Sequence, residues 1–475
     1  MAPHAESPPS TSPPPSYPPS IPPSLPHPFP STSHWHQTTP SFPYRNHNST
    51  TPPPSHSPIV VLGSGLSASL LAYTLLTTHS LPASSLLLLE ARSACSGATS
   101  RNAGHCRPDA FRGFAAYARI HGVEQAKKIL LSERETFERV RAFVREMGVE
   151  CDFEDTVTRD VCLTEEFARE EGEALKGLRE VGGDVEHVRV FDGEGEAVGR
   201  SGVEGAKAVY EWPAGSVHPA KLAGWLLREC VERGMGLWTY CAAEKVERDA
   251  AGEGEGWIVT TPRGRVKAEK VVHCTNAYAA YLLPQLRDFL TPNRAQAHAF
   301  PPVEGLEVRK ETMSLRYGLK HFFSFIQRRE DGTVIFGTSR ENPSWTQSTR
   351  DGLITFDDSG YNAEVALTAE REHTKLSPSQ TIPPNHGDVP GNYWTGIIAM
   401  TPDSVPLVGP IDGLDGQYIC AGFNGHGMAR IWTAAPGLAK LIMGEEWAAT
   451  GLPECFRYSE ERLEKAKRRD LKSVW

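Results

Sequence analysis

The stretch "PIVVLGSGLSASLLAYTLL", residues 58 to 76, decides the fold of this 475-residue chain. Near its start, residues 59 to 62 are β-branched or aliphatic, which is typical of a buried parallel strand. Gly63, Gly65 and Ala68 then form the pattern GxGxxA ahead of an apolar helix. The first glycine permits a tight turn, the second lets backbone approach a pyrophosphate, and the small third residue lets helix and strand pack closely. The pattern therefore predicts a phosphate site at a helix N-terminus.

A second apolar run supports this interpretation. The segment "SSLLLLEAR", residues 84 to 92, is again continuous and aliphatic, and its strand pattern ends at Glu90. A carboxylate at this position accepts hydrogen bonds from both hydroxyl groups of a ribose and repels a 2′-phosphate. The sequence therefore predicts a βαβ unit that binds a dinucleotide.

The polar loop "SGATSRNAGHCRPD", residues 96 to 109, comes next and leads into a helical segment at residues 123 to 148. A simple NAD-binding domain would continue to alternate strands and helices at this point. Beside His105 and Cys106, the sequence has no second group of His or Cys residues at a spacing that suits metal ligands. No metal site is therefore predicted. The small side chains of the loop instead favour backbone that lies along a large bound molecule.

Three further segments complete the pattern: "WPAGSVHPAKLAGWLLREC" at 212–230, "VVHCTNAYA" at 271–279 and "GFNGHGM" at 422–428. With the polar loop, they resemble segments of the FAD-dependent oxidoreductases of the D-amino-acid oxidase and sarcosine oxidase superfamily. The resemblance is closest to the branch that contains γ-glutamylputrescine oxidase and its fungal relatives. It implies FAD as cofactor and an α/β two-domain fold, with a Rossmann-type FAD-binding domain interleaved with an antiparallel-sheet substrate domain.

The fingerprint and the resemblance together assign a set of residues to FAD binding. These are Gly63, Gly65, Leu66, Ala68, Glu90, Ala91, Arg92, Ala98, Thr99, Ser100, Asn102, Ala103, Gly104, His105, Val246, Thr275, Asn276, Gly422, Asn424, Gly425, His426, Gly427 and Met428. The glycines of the last segment permit a sharp turn that leaves backbone N–H groups at a helix start. At the pyrimidine edge of the flavin, that positive end would stabilise the negative charge that gathers on reduction.

His105, Arg340 and His426 are the candidates for the chemistry. We expect His105 to contact flavin or substrate and His426 to contact the flavin edge. Arg340 would bind a substrate carboxylate or place positive charge near the flavin. Some relatives bond FAD covalently through a Cys or a His, and this chain has Gly396 and Arg101 near those positions. The resemblance therefore implies noncovalent FAD, with a bond through His105 or Cys106 as the alternative.

The implied reaction is oxidation of the C–N bond of an amine or amino acid by hydride transfer to flavin N5, giving an imine that hydrolyses. Sarcosine oxidases carry an oxygen-activating Lys and a nearby His, and this chain has Ile335 and Ser339 there. The electron acceptor is therefore either oxygen or another molecule. The alternative function is a flavoenzyme of the same fold that oxidises a non-amine intermediate in secondary-metabolite biosynthesis, because a fold does not fix its chemistry.

Composition narrows the class of protein. A formal net charge of −9 argues against a nucleic-acid partner, and no apolar run approaches the length of a membrane-spanning helix. The 9 cysteines include no CxxC pair, which favours free thiols in a reducing, cytoplasmic setting.

The motifs divide the chain into predicted parts. Residues 1–57, rich in Pro and Ser, are expected to be a disordered leader. The remaining assignments are 58–113, 206–285 and 391–445 to the FAD-binding domain, 114–205 and 286–390 to the substrate domain, and 446–475 to a helical tail.

Overall fold

The computed structural model describes residues 21–249, 256–302, 308–338, 341–377, 382–383 and 385–467. In these ranges the chain forms a six-stranded, a three-stranded and a nine-stranded sheet, with helices packed against them. This mixed α/β architecture of two main layers confirms the predicted fold class.

The elements of the described ranges are numbered in chain order. The strands are β1 (Ile59–Leu62), β2 (Leu86–Leu89), β3 (His105–Cys106), β4 (Glu154–Cys162), β5 (Arg189–Asp192), β6 (Ala208–Ser216), β7 (Gly236–Trp238), β8 (Lys245–Arg248), β9 (Trp257–Thr261), β10 (Gly264–Ala268), β11 (Lys270–His273), β12 (Thr291–Phe300), β13 (Thr312–Arg316), β14 (Phe322–Gln327), β15 (Val334–Thr338), β16 (Tyr393–Met400), β17 (Leu407–Pro410) and β18 (Gln417–Ala421). The α-helices are α1 (His34–Gln37), α2 (Leu66–Thr77), α3 (Phe114–His121), α4 (Val123–Met147), α5 (Glu165–Glu180), α6 (Glu194–Ser201), α7 (Pro219–Glu232), α8 (Ala279–Leu282), α9 (Gln347–Asp351), α10 (Ala363–Leu376), α11 (Ile431–Ile442), α12 (Trp447–Thr450) and α13 (Glu460–Lys467).

The six-stranded sheet is built on the predicted strand–turn–helix unit. Its strand order is β17–β18–β11–β1–β2–β7, and β1 is parallel to both of its neighbours. Every side chain of β1 and β2 is buried, which explains why both strands are continuous apolar runs. Helices α2, α7 and α11 cover one face of the sheet, and the antiparallel β8–β9–β10 sheet covers the other.

The nine-stranded sheet forms the second layer. Its order is β16–β12–β15–β14–β13–β4–β6–β3, with β5 also paired to β6. Neighbouring strands are antiparallel except for β4 and β13, which are parallel. An apolar cluster joins this sheet to α6 and α10. The predicted antiparallel-sheet layer is therefore present, with one parallel pair that the sequence did not indicate.

The domain boundaries drawn from the sequence need correction. β6 falls in the predicted FAD-binding segment 206–285 and β16 in 391–445, yet both strands belong to the nine-stranded sheet. Conversely, α4 lies in the predicted substrate segment 114–205 but packs on α11, where Thr136 Oγ1 is 3.0 Å from Thr433 Oγ1. Continuous segments cross between the two layers, so boundaries placed at motifs misassign them.

The disorder predicted for residues 1–57 does not hold for residues 21–57. This segment includes α1, whose Trp35 is only 1% exposed. The indole Nε1 of Trp35 donates a hydrogen bond to the carbonyl of Asn102 at 2.7 Å. The Pro-rich composition argues against an independent core, but the segment docks on a surface that the rest of the chain builds. Residues 1–20 lie outside the described residues.

The C-terminal part folds back onto the molecule as far as the structure describes it. It contains α12 and α13, and the Phe456 side chain between them is buried. Arg462 of α13 forms an ion pair with Asp403, with Nε 2.7 Å from Oδ2. In the described part of the chain a bilayer-spanning helix is absent, since every helix falls short in length or in apolar character.

Three largely buried histidines lie where the N-terminal segment meets α7. Burial lowers the pKa of His34 to about 4 and the pKa values of His36 and His218 to about 3. His218 caps α7: its Nδ1 accepts the N–H of Lys221, and its Nε2 lies 2.9 Å from Thr38 Oγ1. The folded protein therefore keeps these rings neutral at pH values where the unfolded chain, with histidine pKa values of about 6.5, protonates them.

We expect the free energy of unfolding to fall as the pH drops below about 6.5, because the unfolded state then binds protons that the folded state excludes. His218→Asn keeps an N-cap acceptor and removes one such ring. Its loss of Tm between about pH 7.5 and about pH 5 should be smaller than that of the wild type. His56→Gln, at an exposed position, is the matched control and should lose as much Tm as the wild type. Equal losses in all three proteins would contradict the assignment.

Candidate active site

A cavity of about 400 Å³ lies between the two layers. It opens at the carboxyl ends of β1 and β2, where dinucleotides bind in open parallel sheets. From there it reaches β12 to β16 of the nine-stranded sheet. One cavity is therefore lined both by the predicted phosphate-binding turn and by the second layer.

The turn after β1 leaves no room for larger side chains. Gly63 has φ +100°, and a Cβ there would lie 3.0 Å from the carbonyl oxygen of Cys274. A Cβ on Gly65 would lie 2.9 Å from Thr99 Oγ1. The same Thr99 hydroxyl accepts the N–H of Leu66 at the start of α2, at 2.8 Å. The polar loop is thus held directly against the helix N-terminus.

Glu90 is fixed at the end of β2 by three hydrogen bonds. Its Oε2 accepts the backbone N–H of Ser64 at 3.0 Å and the Ser64 hydroxyl at 2.7 Å. Its Oε1 accepts the N–H of Arg92 at 3.0 Å. Each carboxylate oxygen can accept more than one hydrogen bond, and Glu90 lines the cavity. The carboxylate is therefore positioned to accept hydroxyl groups of a ligand.

The polar loop is held in shape by its own side chains. Asn102 Nδ2 donates to the carbonyl of Thr99 at 2.7 Å, and Asn102 Oδ1 accepts the N–H of Gly104 at 2.8 Å. Gly104 has φ +85°, and a Cβ there would lie 2.8 Å from the carbonyl oxygen of Val217. Gly104 therefore permits the turn into β3, while Ala98 and Ala103 line the cavity.

The glycine turn before α11 is equally constrained. Gly422 and Gly425 have φ values of +78° and +80°, and Asn424 between them has φ 55°. The Asn424 side chain accepts the N–H of Thr401 at 2.7 Å and donates to its hydroxyl at 2.9 Å. Asn276 Oδ1 accepts the N–H of Gly422 at 3.0 Å. These side chains fix the turn, and Asn424 and Gly425 line the cavity.

A buried ion pair lies next to His426 at the cavity and holds its ring in place. The sequence did not indicate this pair. Glu133 of α4 accepts Arg430 Nε at 2.7 Å, and His426 Nδ1 lies 3.3 Å from the same carboxylate. Burial would raise the pKa of Glu133, but Arg430 and His426 outweigh it and hold the pKa at about 2. Burial lowers the pKa of His426 despite Glu133. The neutral His426 ring therefore lies against the Glu133 carboxylate, which stays ionised at neutral pH.

Three arginines of the cavity wall share one buried carboxylate behind them, that of Asp160. Asp160 of β4, with a side chain 0% exposed, forms ion pairs with Arg107, with Arg112 at 2.5 Å and with Arg316 at 2.9 Å. Burial would raise the pKa of Asp160, but the three guanidinium groups hold it well below its usual range. All three arginines line the cavity, and Arg107 NH1 also donates to Ser314 Oγ at 2.8 Å.

Glu171 of α5 adds a neutral carboxyl group to this cluster. Burial and the charge of Asp160 raise the pKa of Glu171 to about 8. Neither of its carboxyl oxygens has a hydrogen-bond partner among the described residues. At neutral pH the three guanidinium groups of the cluster therefore outnumber the carboxylates of Asp160 and the nearby Asp109, and the net charge is positive.

Most of the residues predicted for the site do line the cavity. They are Gly63, Gly65, Leu66, Glu90, Ala91, Arg92, Ala98, Thr99, Asn102, Ala103, His105, Thr275, Asn276, Asn424, Gly425, His426, Gly427 and Met428. Burial, and to a smaller extent Arg107, lower the pKa of His105 to about 3. Neither ring nitrogen of His105 has a hydrogen-bond partner within the described ranges. Arg340 lies outside the described residues.

The other five predicted residues do not line the cavity. Ala68 and Ser100 are buried behind it, and Gly104 and Gly422 serve the backbone turns. Val246 sits on β8 and packs against the apolar cluster under the six-stranded sheet. The preceding residues Ala242 and Ala243 line the cavity instead.

Sequence reasoning missed several residues that line the cavity. They are Ser64, Arg101, Arg107, Arg112, Ala242, Ala243, Ser314 and Arg316. A signal existed for four of them, because Ser64 lies within the GxGxxA turn, Arg101 and Arg107 lie in the polar loop, and Arg112 follows it closely. No feature of the sequence indicated Arg316, because it reaches the cavity only through the pairing of β13 with β4.

The two positions considered for a covalent bond to FAD lie in contact. A Cβ on Gly396 would lie 2.7 Å from Arg101 Cβ, and neither residue offers a nucleophile. The Arg101 side chain is held within the protein, because its Nε donates a hydrogen bond to the Ser96 carbonyl at 2.7 Å. Cys106 is 1% exposed, and burial raises the pKa of its thiol above the usual range. These features favour FAD without a covalent bond.

The residues present fit an FAD molecule. Gly63 and Gly65 form a cradle that a Cβ would fill, as a pyrophosphate near a helix start requires. The Glu90 carboxylate faces the cavity at the expected ribose position. The neutral, unpartnered ring of His105 is available to a ligand in the same cavity.

Comparison with known proteins agrees with this geometry. The family DAO, described as FAD dependent oxidoreductase, matches residues 58–443 of this chain. A glycine oxidase of Pseudomonas aeruginosa is 22% identical over 204 residues, which are 41% of this chain and 49% of that protein. The match thus spans about half the length of that relative.

Solved structures with the same fold cover most of the chain. A glycine oxidase from Geobacillus kaustophilus aligns with a TM-score of 0.65 at 18% identity, over 83% of this chain and 96% of that one. An L-proline dehydrogenase from P. horikoshii aligns with a TM-score of 0.63 at 21% identity, over 85% and 97%. At these identities the likeness establishes the fold alone.

We expect Glu90→Gln to weaken FAD binding about 10- to 100-fold, because a charge-assisted hydrogen bond contributes about 1.5–3 kcal/mol. The measurement is the FAD dissociation constant of the apoprotein, determined from flavin fluorescence. Glu244→Gln, at an exposed site near the cavity-lining Ala243, is the matched control and should bind FAD as the wild type does. An unchanged dissociation constant for Glu90→Gln would refute the ribose assignment.

Proposed function

Because the chain belongs to the DAO family of FAD-dependent oxidoreductases, we propose that it oxidises the C–N bond of an amino acid bound through its carboxylate. The arginine cluster carries this proposal, because Arg107, Arg112 and Arg316 all line the cavity and all form ion pairs with the same buried carboxylate, that of Asp160. An uncompensated buried charge is costly. A substrate carboxylate would neutralise it, whereas an amine without a carboxylate would not.

The excess charge also favours one class of amino acid. Three guanidinium groups share one ionised carboxylate, while the Glu171 carboxyl is protonated at neutral pH. A planar guanidinium group binds a carboxylate with two parallel hydrogen bonds. Amino acids with a second carboxylate would balance the cluster more completely, so we expect them to bind more tightly than neutral amino acids.

The same cluster would favour the neutral form of the substrate amine. A positive field disfavours an ammonium group and lowers its pKa, and loss of a hydride from the adjacent carbon requires the neutral amine. His105, with a pKa of about 3, is too weak a base to take a proton at neutral pH. Its unpartnered ring nitrogens can hydrogen-bond the substrate and orient it.

FAD, when bound, supplies the two-electron acceptor for this oxidation. The residues of the chain position the substrate, shield it from water and fix its protonation state. The imine product then hydrolyses to an oxo acid and ammonia or an amine. The names of the similar glycine oxidase and L-proline dehydrogenase refer to amino acids, which supports the proposal.

The test is anaerobic reduction of the purified flavoprotein by candidate substrates. The loss of the visible absorbance of the flavin measures the reduction. The compounds are a neutral amino acid, an acidic amino acid, the amine that lacks the carboxylate, and the matching 2-hydroxy acid. We expect amino acids to reduce the flavin, with the acidic one binding most tightly. For a primary amino acid, the moles of ammonia released should equal the moles of flavin reduced.

Arg316→Met probes the cluster in the same assay. It should raise the substrate dissociation constant about 10- to 100-fold, because a hydrogen bond to a charged group contributes about 1.5–3 kcal/mol, and should change the limiting reduction rate less. Arg294→Met is the matched control, since Arg294 is on β12 of the same sheet but does not line the cavity. Reduction by the 2-hydroxy acid alone would instead support the non-amine function. If the amine without a carboxylate reduced the flavin equally well, binding through the carboxylate would be contradicted.

Glu171 gives the cluster a pH dependence. Its carboxyl, with a pKa of about 8, is protonated below that pH and adds a negative charge above it. The affinity for an anion should therefore fall as the pH rises through about 8. Succinate is a suitable probe, because its charge is constant over this range and it has no amine.

We expect the succinate dissociation constant, read from the flavin spectrum, to rise between about pH 7 and about pH 9 in the wild type. Glu171→Gln, which stays neutral, should show no such rise. Glu170→Gln, the exposed neighbour on α5, should behave as the wild type. A rise that persists in Glu171→Gln would show that another group titrates.

A further inference from the structure

The cavity includes residues that precede the family match. That match begins at residue 58, yet Leu25 and Pro26 line the same cavity as Glu90 and Ala242. Since a carboxylate at the end of the second strand binds the ribose of the adenosine half, this part of the cavity corresponds to the adenosine end of the cofactor.

The chain around Leu25 and Pro26 is tied to both layers. Arg92 NH1 donates to the carbonyl of His27 at 3.3 Å and to the Asp358 carboxylate at 2.9 Å. On the other side, the N–H of Ser31 donates to the carbonyl of Asp358 at 2.7 Å. Ser31 Oγ also lies within hydrogen-bond reach of Arg101 NH1, at 3.2 Å. The two cavity-lining residues therefore lie next to a segment held by buried charged groups.

Trp35 anchors the segment further along the chain. Its indole N–H binds the carbonyl of Asn102 at 2.7 Å, and a Cβ on Gly104 would lie 3.2 Å from its ring. The ring also contacts His218, with centroids 4.8 Å apart. Trp35 thus packs on the back of the polar loop whose front lines the cavity.

We propose that residues 25–35, the N-terminal strap, are part of the FAD-binding site and retain the adenosine half of the cofactor. Leu25 and Pro26 supply apolar surface, and they share the cavity wall with the equally apolar Ala242, Ala243 and Leu282. Burial of this apolar surface against the cofactor would stabilise the bound state. Ser31 and Trp35 anchor the strap through protein groups and not through the cofactor, so we expect little ordering entropy to oppose that gain. The proposal rests on FAD binding and not on the identity of the substrate.

The experiment measures FAD affinity in the full-length protein. The double variant Leu25→Ala, Pro26→Ala removes the cavity contacts and leaves the anchors at Ser31 and Trp35. Phe29→Ala is the matched control, since Phe29 lies in the same strap but is 78% exposed. The readouts are the FAD dissociation constant and the dissociation rate of the reconstituted protein, with the Tm of the apoprotein as a measure of folding.

We expect the double variant to raise the FAD dissociation constant at least about 10-fold, mainly through faster dissociation, with the Tm of the apoprotein unchanged. Deletion of residues 1–30, which also removes the contact of Arg92 with His27, should raise it at least as much. Phe29→Ala should match the wild type. Wild-type FAD affinity in both the double variant and the deletion would overturn the proposal. It would equally be overturned if the apoprotein of the double variant melted at a lower temperature while its FAD dissociation rate stayed the same. Since no amino acid is present, these results do not depend on the proposed reaction.

Discussion

The buried ion pair between Arg92 and Asp358 links three parts of the chain: the six-stranded sheet, the nine-stranded sheet and the N-terminal strap. Arg92 follows β2 of the six-stranded sheet, and Asp358 precedes α10 beside the nine-stranded sheet. Their side chains are 4% and 1% exposed, with NH1 2.9 Å from Oδ1. The N–H of Arg92 also binds Glu90, and the carbonyl of Asp358 binds Ser31. Asp358 Oδ2 also lies 3.5 Å from Nε of the buried Arg101, so two arginines share this carboxylate. The contact therefore connects the two layers, Glu90 and the strap at one buried point.

The cavity between the layers has charge of opposite sign in its two parts. The Glu90 carboxylate faces the phosphate-binding turn, whereas the arginines around Asp160 give the second layer a positive charge. The charges of Glu133 and Arg430 balance each other, and burial lowers the pKa of the nearby His426 despite Glu133. An anionic substrate, as we propose, would be drawn towards the arginines of the second layer as it approaches the cavity.

The sequence predicts the parts of the site that are local in the chain. Gly63 and Glu90 could be placed because the strand, turn and helix that present them lie within one βαβ unit. The arginine cluster could not, because Asp160 and Arg316 approach only through the register of β4 against β13, where Cys162 lies opposite Arg316. The assignment of Val246 failed for a smaller reason, since the residues that line the cavity precede β8 by a few positions and no motif marks them.

The N-terminal segment shows why composition misled the disorder prediction. A Pro-rich chain with few apolar residues cannot build its own core, but that rule concerns autonomous folding. Residues 21–57 need no core of their own, because Trp35 and Phe42 pack against surfaces that the rest of the chain forms. Proline also restricts the unfolded chain, so less conformational entropy is lost when the segment docks. The same prolines that indicate disorder in isolation therefore lower the cost of order once a few anchors are present. A segment of this kind can line a cofactor site although it contains little regular secondary structure.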